Sequence, residues 1–313
     1  MTPEWDLIII GAGGAGLSAA QYGARGNLRT LVLEEVASGG QALLIEGLEN
    51  YPGFPDPING YDFTQKFEEQ AKKFGAEIRN AQVSRIARNG HQWTVETDQG
   101  TLTTYAVILA TGAAHKTLGV QGEAELSGHG VSYCATCDGP FFKAKRMLVV
   151  GGGDAACDEA MYLSHLASQV IMIHRRDRFR AQKSLATRVL SNPKIEVRFN
   201  TELAKIEGTP AVSRVTLRDN VSGRESQEDV AAVFVFIGSD PKNALVKDLD
   251  VKLDDVGYVE TNQRMETGIP GLYAVGDVRA SPFRQLVVAA AEGGIAAHAA
   301  GQYIDELKGE KYQ

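Results

Sequence analysis

A chain of 313 residues is long enough for about two domains and can bury a full core without staples. Its net charge of −7 argues against general nucleic-acid binding. No stretch reads as the ~18 consecutive apolar residues of a membrane span, and three cysteines cannot build a disulfide framework. Met1 to Asp6 lacks a basic segment and the apolar run Leu7 to Ile10 is short, so no signal peptide is expected. A cytoplasmic protein is expected, with no membrane and no nucleic acid among its partners.

Trp5 to Ile10 predicts a strand, followed by Gly11-Ala12-Gly13-Gly14-Ala15-Gly16 and Ala-rich helical sequence to about Arg25. Leu31 to Leu33 predicts a second strand ending at Glu34, which completes one βαβ unit. Phe63, Phe67, Ala71 and Phe74 lie at helical spacing. Short runs around Ile78, Val83, Trp93 to Val95 and Tyr105 to Leu109 read as antiparallel strands, with a turn at Asp98 to Gly100. The βαβ pattern then recurs: Met147 to Val150, Gly151-Gly152-Gly153-Asp154-Ala155-Ala156, a helix to about Ala167, and Val170 to Ile173 ending at His174. A second meander is expected from Ile195 to Ile237, with a hairpin near Ser222-Gly223. Leu272 to Val275 predicts a strand, and Arg284 to about Leu307 a long Ala-rich helix. Two βαβ openings in one chain predict two nucleotide domains.

The first glycine loop fits G-x-G-x-x-G. The first glycine allows the tight turn, the second a close approach to a pyrophosphate, and the third close helix–strand packing. The helix N-terminus adds free N–H groups and a positive dipole end. Glu34 follows Gly16 by 18 residues, a spacing that suits a ribose hydroxyl. The second loop is the G-x-G-x-x-A variant, and its second strand ends differently. From His174 to Arg188 there are six Lys or Arg against one Asp. Arginine at this point accommodates a 2′-phosphate, and its planar fork suits a phosphate dianion. NADPH is therefore expected over NADH, the alternative being a solvated basic face.

Cys134-Ala135-Thr136-Cys137 supplies two thiols, whereas a structural zinc takes about four ligands. There is no second such pair, Cys157 stands alone, and no histidine pair has ligand spacing, so no metal is expected. A redox dithiol is the better reading, because two close thiols can form a disulfide and one can have its pKa lowered. Asp138 beside them can carry protons or serve as a turn residue before Gly139-Pro140. Cys157, in an Ala-rich helix, reads as a small buried side chain.

These motifs occur in an order that resembles one family. Gly11-x-Gly13-x-x-Gly16, Gly39-Gly40-Gln41, Glu49-Asn50-Tyr51-Pro52-Gly53, Ala110-Thr111-Gly112, the Cys134 to Gly139 segment, Gly151 to Asp154, His174-Arg175-Arg176-Asp177-x-Phe179-Arg180-Ala181, Gly276-Asp277-Val278 and Arg284-Gln285 follow one another along almost the whole chain. The sequence resembles the low-molecular-weight, bacterial-type thioredoxin reductases. Departures are modest: Asp154 and Cys157 stand where related chains often carry Asn or Ser and Val.

The resemblance implies an α/β fold of two Rossmann-like domains, each a three-layer ββα arrangement. The NADPH domain (116–244, with the redox pair) would be inserted in a split FAD domain (1–115 and 245–313). FAD would lie on the first glycine loop, including Gly14 and Ala15, with Glu34 and Glu35 at the ribose. Gly39, Gly40, Gln41, Asn50, Val83, Ala110, Thr111 and Gly112 would line its path. Gly276 and Asp277 would hold the ribityl chain, and Arg284, Gln285 and Leu286 would sit near the ring. NADPH would take Gly151, Gly153, Asp154, Ala155, Ala156, His174, Arg175, Arg176 and Arg180, with Ile237 and Gly238. The implied reaction passes a hydride from NADPH to FAD, then electrons to the Cys134–Cys137 disulfide and on to oxidised thioredoxin. In it Cys137 faces the flavin, Cys134 attacks the partner, and Asp138 is the acid–base. A homodimer is implied, with domain joints near His115 to Gly119 and Gly238 to Asn243.

Several rival readings are weighed against the same residues. A flavin-dependent dithiol oxidase, or a reductase of another small disulfide protein, would use the same cysteine pair. The oxidase would not need the basic cluster. A non-catalytic nucleotide-binding module would need degraded thiols or glycine loops, and these are intact. A peroxidase-system reductase usually carries an extra N-terminal disulfide domain, for which a first strand at Trp5 leaves no room. A ferredoxin–NADP reductase would lack the cysteine pair.

Overall fold

The structure is a computed structural model that describes residues 2–45, 47–48 and 50–309. Glu49, part of the motif around Asn50, lies outside the described residues. The chain divides into two compact units, residues 1–114 with 240–313, and residues 115–239.

In the first unit β1 (Trp5–Ile10), α1 (Gly14–Arg25) and β2 (Thr30–Glu34) form the opening βαβ. α2 (Gly60–Lys73) follows, N-capped by Asn59, whose side chain accepts from Tyr61 N–H at 2.9 Å. Then come β3 (Glu77–Asn80), β4 (Val83–Asn89), β5 (Gln92–Thr97), β6 (Gly100–Leu109) and the short β7 (Ala113–His115). The sheet runs β3-β2-β1-β6-β5-β4. Along β1 successive side chains point to opposite faces. Leu7 and Ile9 join a cluster with the alanines of α1, while Ile8 and Ile10 join one with Ile86, Trp93 and Val95 of the meander. Helix, parallel sheet and meander thus stack in three layers on one apolar strand.

The second unit repeats this plan. β8 (Val131–Ser132), the single-turn α3 (Ala135–Asp138), β9 (Arg146–Gly151), α4 (Asp154–Leu166), β10 (Gln169–Ile173), α5 (Lys183–Leu190) and β11 (Ile195–Arg198) come first. They are followed by β12 (Thr201–Gly208), β13 (Val212–Asp219), β14 (Glu225–Asp229) and β15 (Ala232–Phe236). The parallel sheet is β11-β10-β9-β15-β8, and β12-β13-β14 form an antiparallel sheet of their own. Met147 and Val149 face the cluster of α4, and Leu148 and Val150 face the meander side with Leu203 and Val215. The chain then returns through β16 (Ser239–Pro241) to β17 (Leu272–Ala274) and α6 (Leu286–Lys308). β17 pairs in parallel with Val107 to Leu109 of β6.

Four strands differ from the sequence reading. β3 pairs in parallel with β2, and β11 in parallel with β10, so each is an edge of a parallel sheet rather than part of a meander. β15 is also parallel, beside β9. β6 is long enough to do both: Gly100 to Thr104 pairs antiparallel with β5, and Ala106 to Leu109 parallel with β1. The apolar run from Ala106 to Leu109 is buried on both faces, as parallel strands are.

Asp6 ties three ends of the first unit together. It accepts from Arg29 Nη2 at 3.1 Å and from Lys308 Nζ at 3.0 Å, joining the start of β1 to the start of β2 and the end of α6. Burial alone would raise its pKa. The hydrogen bonds from the Arg29 side chain and backbone, together with Lys308, outweigh this and bring it down to about 2. A depressed carboxyl stabilises the fold above its unfolded pKa and loses that contribution as pH falls toward the folded value. Asp6→Asn should therefore cost about 2 kcal/mol at neutral pH, and urea unfolding should show the gap to the parent narrowing between about pH 4 and about pH 2.

Candidate active site

The first glycine loop lies where the strand order reverses between β2-β1 and β1-β6, the switch point at which open α/β sheets bind ligands. A side chain at Gly16 would meet Gly11 O at 1.9 Å, and one at Gly11 would meet Ala110 O at 2.4 Å. One at Gly14 would strike Leu286 Cδ1 at 2.3 Å. Gly13 is different, with only Gly40 Cα at 4.0 Å. The loop is closed toward the protein and open at the position where a pyrophosphate would approach. Gly39 N–H donates to Ala12 O at 2.8 Å and so brings the Gly39–Gly40 turn alongside.

Glu34 ends β2 and is already held: Oε2 accepts from Ala12 N–H at 2.7 Å and Oε1 from Val36 N–H at 3.2 Å. Glu35 accepts from Gln82 Nε2 at 2.8 Å. Gln41 donates from Nε2 to Ala113 O at 3.0 Å and to Asp277 Oδ2 at 3.3 Å. Asn50 donates to Gln285 Oε1 at 3.0 Å. Thr111 Oγ1 donates to Lys242 O at 2.7 Å, and Lys242 N–H to Gly112 O at 2.9 Å. Residues more than 200 positions apart are thus brought together at Gln41–Asp277 and Asn50–Gln285. Val83 opens β4 and packs against the cluster that holds Ile8 and Ile10. The sequence reading starts the last helix at Arg284, but it begins at Leu286, because Gln285 is extended (φ −136°, ψ 154°). Arg284 lies before the helix, with its guanidinium 3.9 Å from the ring centre of Tyr258.

The second loop is built alike. A side chain at Gly151 would meet Phe236 O at 2.5 Å and Ala156 Cβ at 2.6 Å, whereas Gly153 is open. Asp154 Oδ1 accepts from Gln182 N–H at 2.7 Å, and Ala155 stands exposed in the first turn of α4. A side chain at Gly152 would strike the His174 ring at 2.3 Å, so that imidazole is seated on the loop. His174 is 7% exposed, and its Nε2 has no partner among the described residues. Burial, then Arg180, Arg176 and Arg175, push its pKa down and keep the ring neutral. Arg180 N–H donates to Gly152 O at 2.7 Å, which folds the basic segment back over the loop. A cleft of about 680 Å³ opens there, lined by Arg176 to Arg180 and Asn200. Among the described residues no carboxylate pairs with Arg175, Arg176, Arg178 or Arg180. In an acidic protein, unpaired guanidinium groups around one cleft suit an anionic ligand. Ile237 packs on the meander side, and Gly238 O accepts from Lys116 N–H at 3.0 Å.

Cys134 and Cys137 are disulfide-bonded across one turn. Cys134 caps α3: its Sγ accepts from Cys137 N–H at 3.2 Å, and Ser132 Oγ holds Cys134 N–H at 3.1 Å. Asp138 closes the turn, half-buried. Cys157 is buried in α4. Burial, then Asp154 and Asp158, push its thiol up to about 11, so it is not a third redox thiol.

Two acids escape the sequence reading. Glu123, 3% exposed, accepts from Leu118 N–H (2.9 Å), Gly119 N–H (2.7 Å) and the Tyr133 hydroxyl (2.9 Å), next to Cys134. Glu292, 5% exposed, accepts from Gly276 N–H at 2.8 Å and pairs with Arg279, which fixes the turn that carries Asp277. An acid isolated in an Ala- and Gly-rich helix was the available signal for Glu292.

The profile of the family described as pyridine nucleotide-disulphide oxidoreductase matches residues 5–293, and the chain belongs to that family. Its relatives are specific. The thioredoxin reductase of Treponema pallidum (strain Nichols) is 50% identical over 308 residues, covering 98% of this chain and 100% of that one. The thioredoxin reductase of Bacillus subtilis (strain 168) is 44% identical, covering 97% and 96%. The crystal structure of thioredoxin reductase from Streptococcus pyogenes MGAS5005 superposes with a TM-score of 0.92 at 39% identity, covering 96% and 98%. The fold is that of these enzymes, with two Rossmann-like domains.

Breaking a buried ion pair from one side leaves the other charge uncompensated. Glu292→Ala should therefore cost roughly 3 kcal/mol in urea unfolding. Glu292→Gln, which keeps an acceptor for Gly276 N–H, should lose less.

Proposed function

We propose that this protein is an NADPH-dependent FAD flavoprotein that reduces the disulfide of thioredoxin. The observation that carries the reading is the Cys134–Cys137 disulfide in the same unit as a glycine loop beside which Arg175, Arg176, Arg178 and Arg180 meet no carboxylate among the described residues. A dithiol oxidase would have no use for that cleft. The names of the relatives support thioredoxin as the substrate.

The residues fit both cofactors. In the first unit the open face at Gly13 and the fixed carboxylate of Glu34 would take the pyrophosphate and ribose of FAD, with Gln41, Asn50 and Asp277 beyond. In the second, Gly153 would take the pyrophosphate of NADPH, and Arg175, Arg176 and Arg180 its 2′-phosphate. FAD, when bound, supplies the two-electron link between the nicotinamide and the Cys134–Cys137 disulfide.

The chain's own chemistry is thiol–disulfide exchange. The Cys134 thiolate attacks one sulfur of the thioredoxin disulfide, forming a mixed disulfide and releasing a thiolate that takes a proton from Asp138. The Cys137 thiolate then attacks Cys134 Sγ, which re-forms the Cys134–Cys137 bond and releases the second thioredoxin sulfur. Thioredoxin gains two electrons and the Cys134–Cys137 pair loses them. Asp138 is reprotonated when the pair is next reduced. Homodimeric assembly and a cytoplasmic setting complete the proposal, on the strength of the family resemblance. Among the described residues no helix is long and apolar enough to cross a membrane.

The purified protein should be yellow and its flavin should bleach with NADPH. Cys134→Ser and Cys137→Ser should each abolish thioredoxin reduction while bleaching persists. Disulfide reduction retained in both variants would overturn the relay. Replacing Arg175, Arg176 and Arg180 with Ala should raise the KM for NADPH by about tenfold or more, the effect of ~1.4 kcal/mol, and leave NADH nearly unchanged. Equal loss for both nucleotides would remove the phosphate assignment.

A further inference from the structure

One residue of the arginine cleft comes from outside the basic segment. Asn200 lines it from the turn between β11 and β12. Its backbone is left-handed, with φ +51°, a region where asparagine is enriched among non-glycine residues. That backbone is tied to the arginines. Asn200 N–H donates to Arg176 O at 3.0 Å, and Asn200 O accepts from Asn220 N–H at 2.7 Å. Asn220 Nδ2 in turn donates to Arg175 O at 3.3 Å, and Thr201 N–H to His174 O at 3.0 Å. The side chain of Asn200 is thereby registered against the segment that carries the guanidinium groups. Among the described residues no protein group takes its carboxamide.

A phosphate monoester offers three oxygens with several lone pairs each, more than the arginines need to fill. A fourth cation in the cleft would add repulsion among guanidinium groups that, with Asp177 alongside, form no ion pair among the described residues. A carboxylate would cancel one of them. A carboxamide adds a donor and no net charge.

We propose that Asn200 is a specificity-determining residue whose Nδ2 donates a hydrogen bond to the ribose 2′-phosphate held by the arginines. The inference rests on the reading of this cleft as the NADPH phosphate site. A neutral donor should also behave differently from its charged neighbours, whose contribution is screened by salt.

The test is calorimetric titration of the full-length protein with 2′,5′-ADP and with 5′-ADP. Asn200→Gly keeps the left-handed backbone, which glycine adopts freely, and removes only the carboxamide. It should bind 2′,5′-ADP about tenfold more weakly, the scale of a hydrogen bond to a charged group, with 5′-ADP unchanged. The ratio of parent to variant should be the same at about 50 mM and about 300 mM salt, although both affinities fall. Asn200→Asp should be weaker still at low salt and recover partly at high salt. Unchanged 2′,5′-ADP affinity in Asn200→Gly overturns the proposal. So does equal loss for both nucleotides, which would make Asn200 a structural residue of the turn. A parent protein that does not prefer 2′,5′-ADP to 5′-ADP instead overturns the reading of the cleft itself, and the proposal with it.

Discussion

Gly16 lies so close to the carbonyl oxygen of Gly11 that a methyl group there would sit 1.9 Å from it. That contact sets how near α1 comes to β1, and most of the first unit depends on it. At the start of that helix a side chain on Gly13 would meet nothing closer than Gly40 Cα, at 4.0 Å. Ala156 against Gly151 plays the corresponding part in the second unit, with one more carbon between the two backbones. On the proposed reading, nucleotide binding in both units would follow from backbone proximity, with the charged groups around each loop deciding which nucleotide is favoured.

The charged groups differ between the units in a way that follows from the ends of two strands. β2 ends on Glu34, whose carboxylate already accepts two backbone N–H groups. On the proposed reading it would meet a ribose hydroxyl with little rotamer freedom left to lose. β10 ends on His174 and a run of arginines that meet no carboxylate among the described residues. One unit presents a fixed anion and the other a set of uncompensated cations. The disulfide sits on the cationic unit, at a turn held by Ser132 and by its own N–H to sulfur bond.

The sequence showed clearly what depends on short-range chemistry. The glycine spacings, the acid after β2, the basic run after β10 and the Cys134–Cys137 pair each declare themselves within about twenty residues. Strand polarity was harder to read. The segments of β3 and β11 are four residues each, too short for a period to separate edge strands of a parallel sheet from a meander. Glu123, Glu292 and Asn200 were missed for another reason. Their partners are set by the fold and by no motif spacing: Leu118, Gly119 and Tyr133 for Glu123, Gly276 and Arg279 for Glu292, Arg176 and Asn220 for Asn200. Glu123 carries no spacing that marks it as buried, and Glu292 is marked only by standing alone among small residues of the last helix. The start of the last helix was read two residues early, because the apolar pattern does not report that Gln285 is extended.

The insertion of residues 115–239 within the first unit has a consequence for the order of synthesis. β17 and α6 belong to the last 74 residues, from 240 to 313. α6 packs along α1, with Gly293 against the Ala15 carbonyl and Ser18 Oγ donating to Ala290 O. While the ribosome makes the inserted stretch, the side of α1 that meets Ala290 and Gly293 is not yet covered by α6. The second unit is complete in itself and can fold in that interval. The nascent chain can therefore carry a complete second unit while the first is half-built, its flank toward α6 uncovered until the carboxyl-terminal helix emerges.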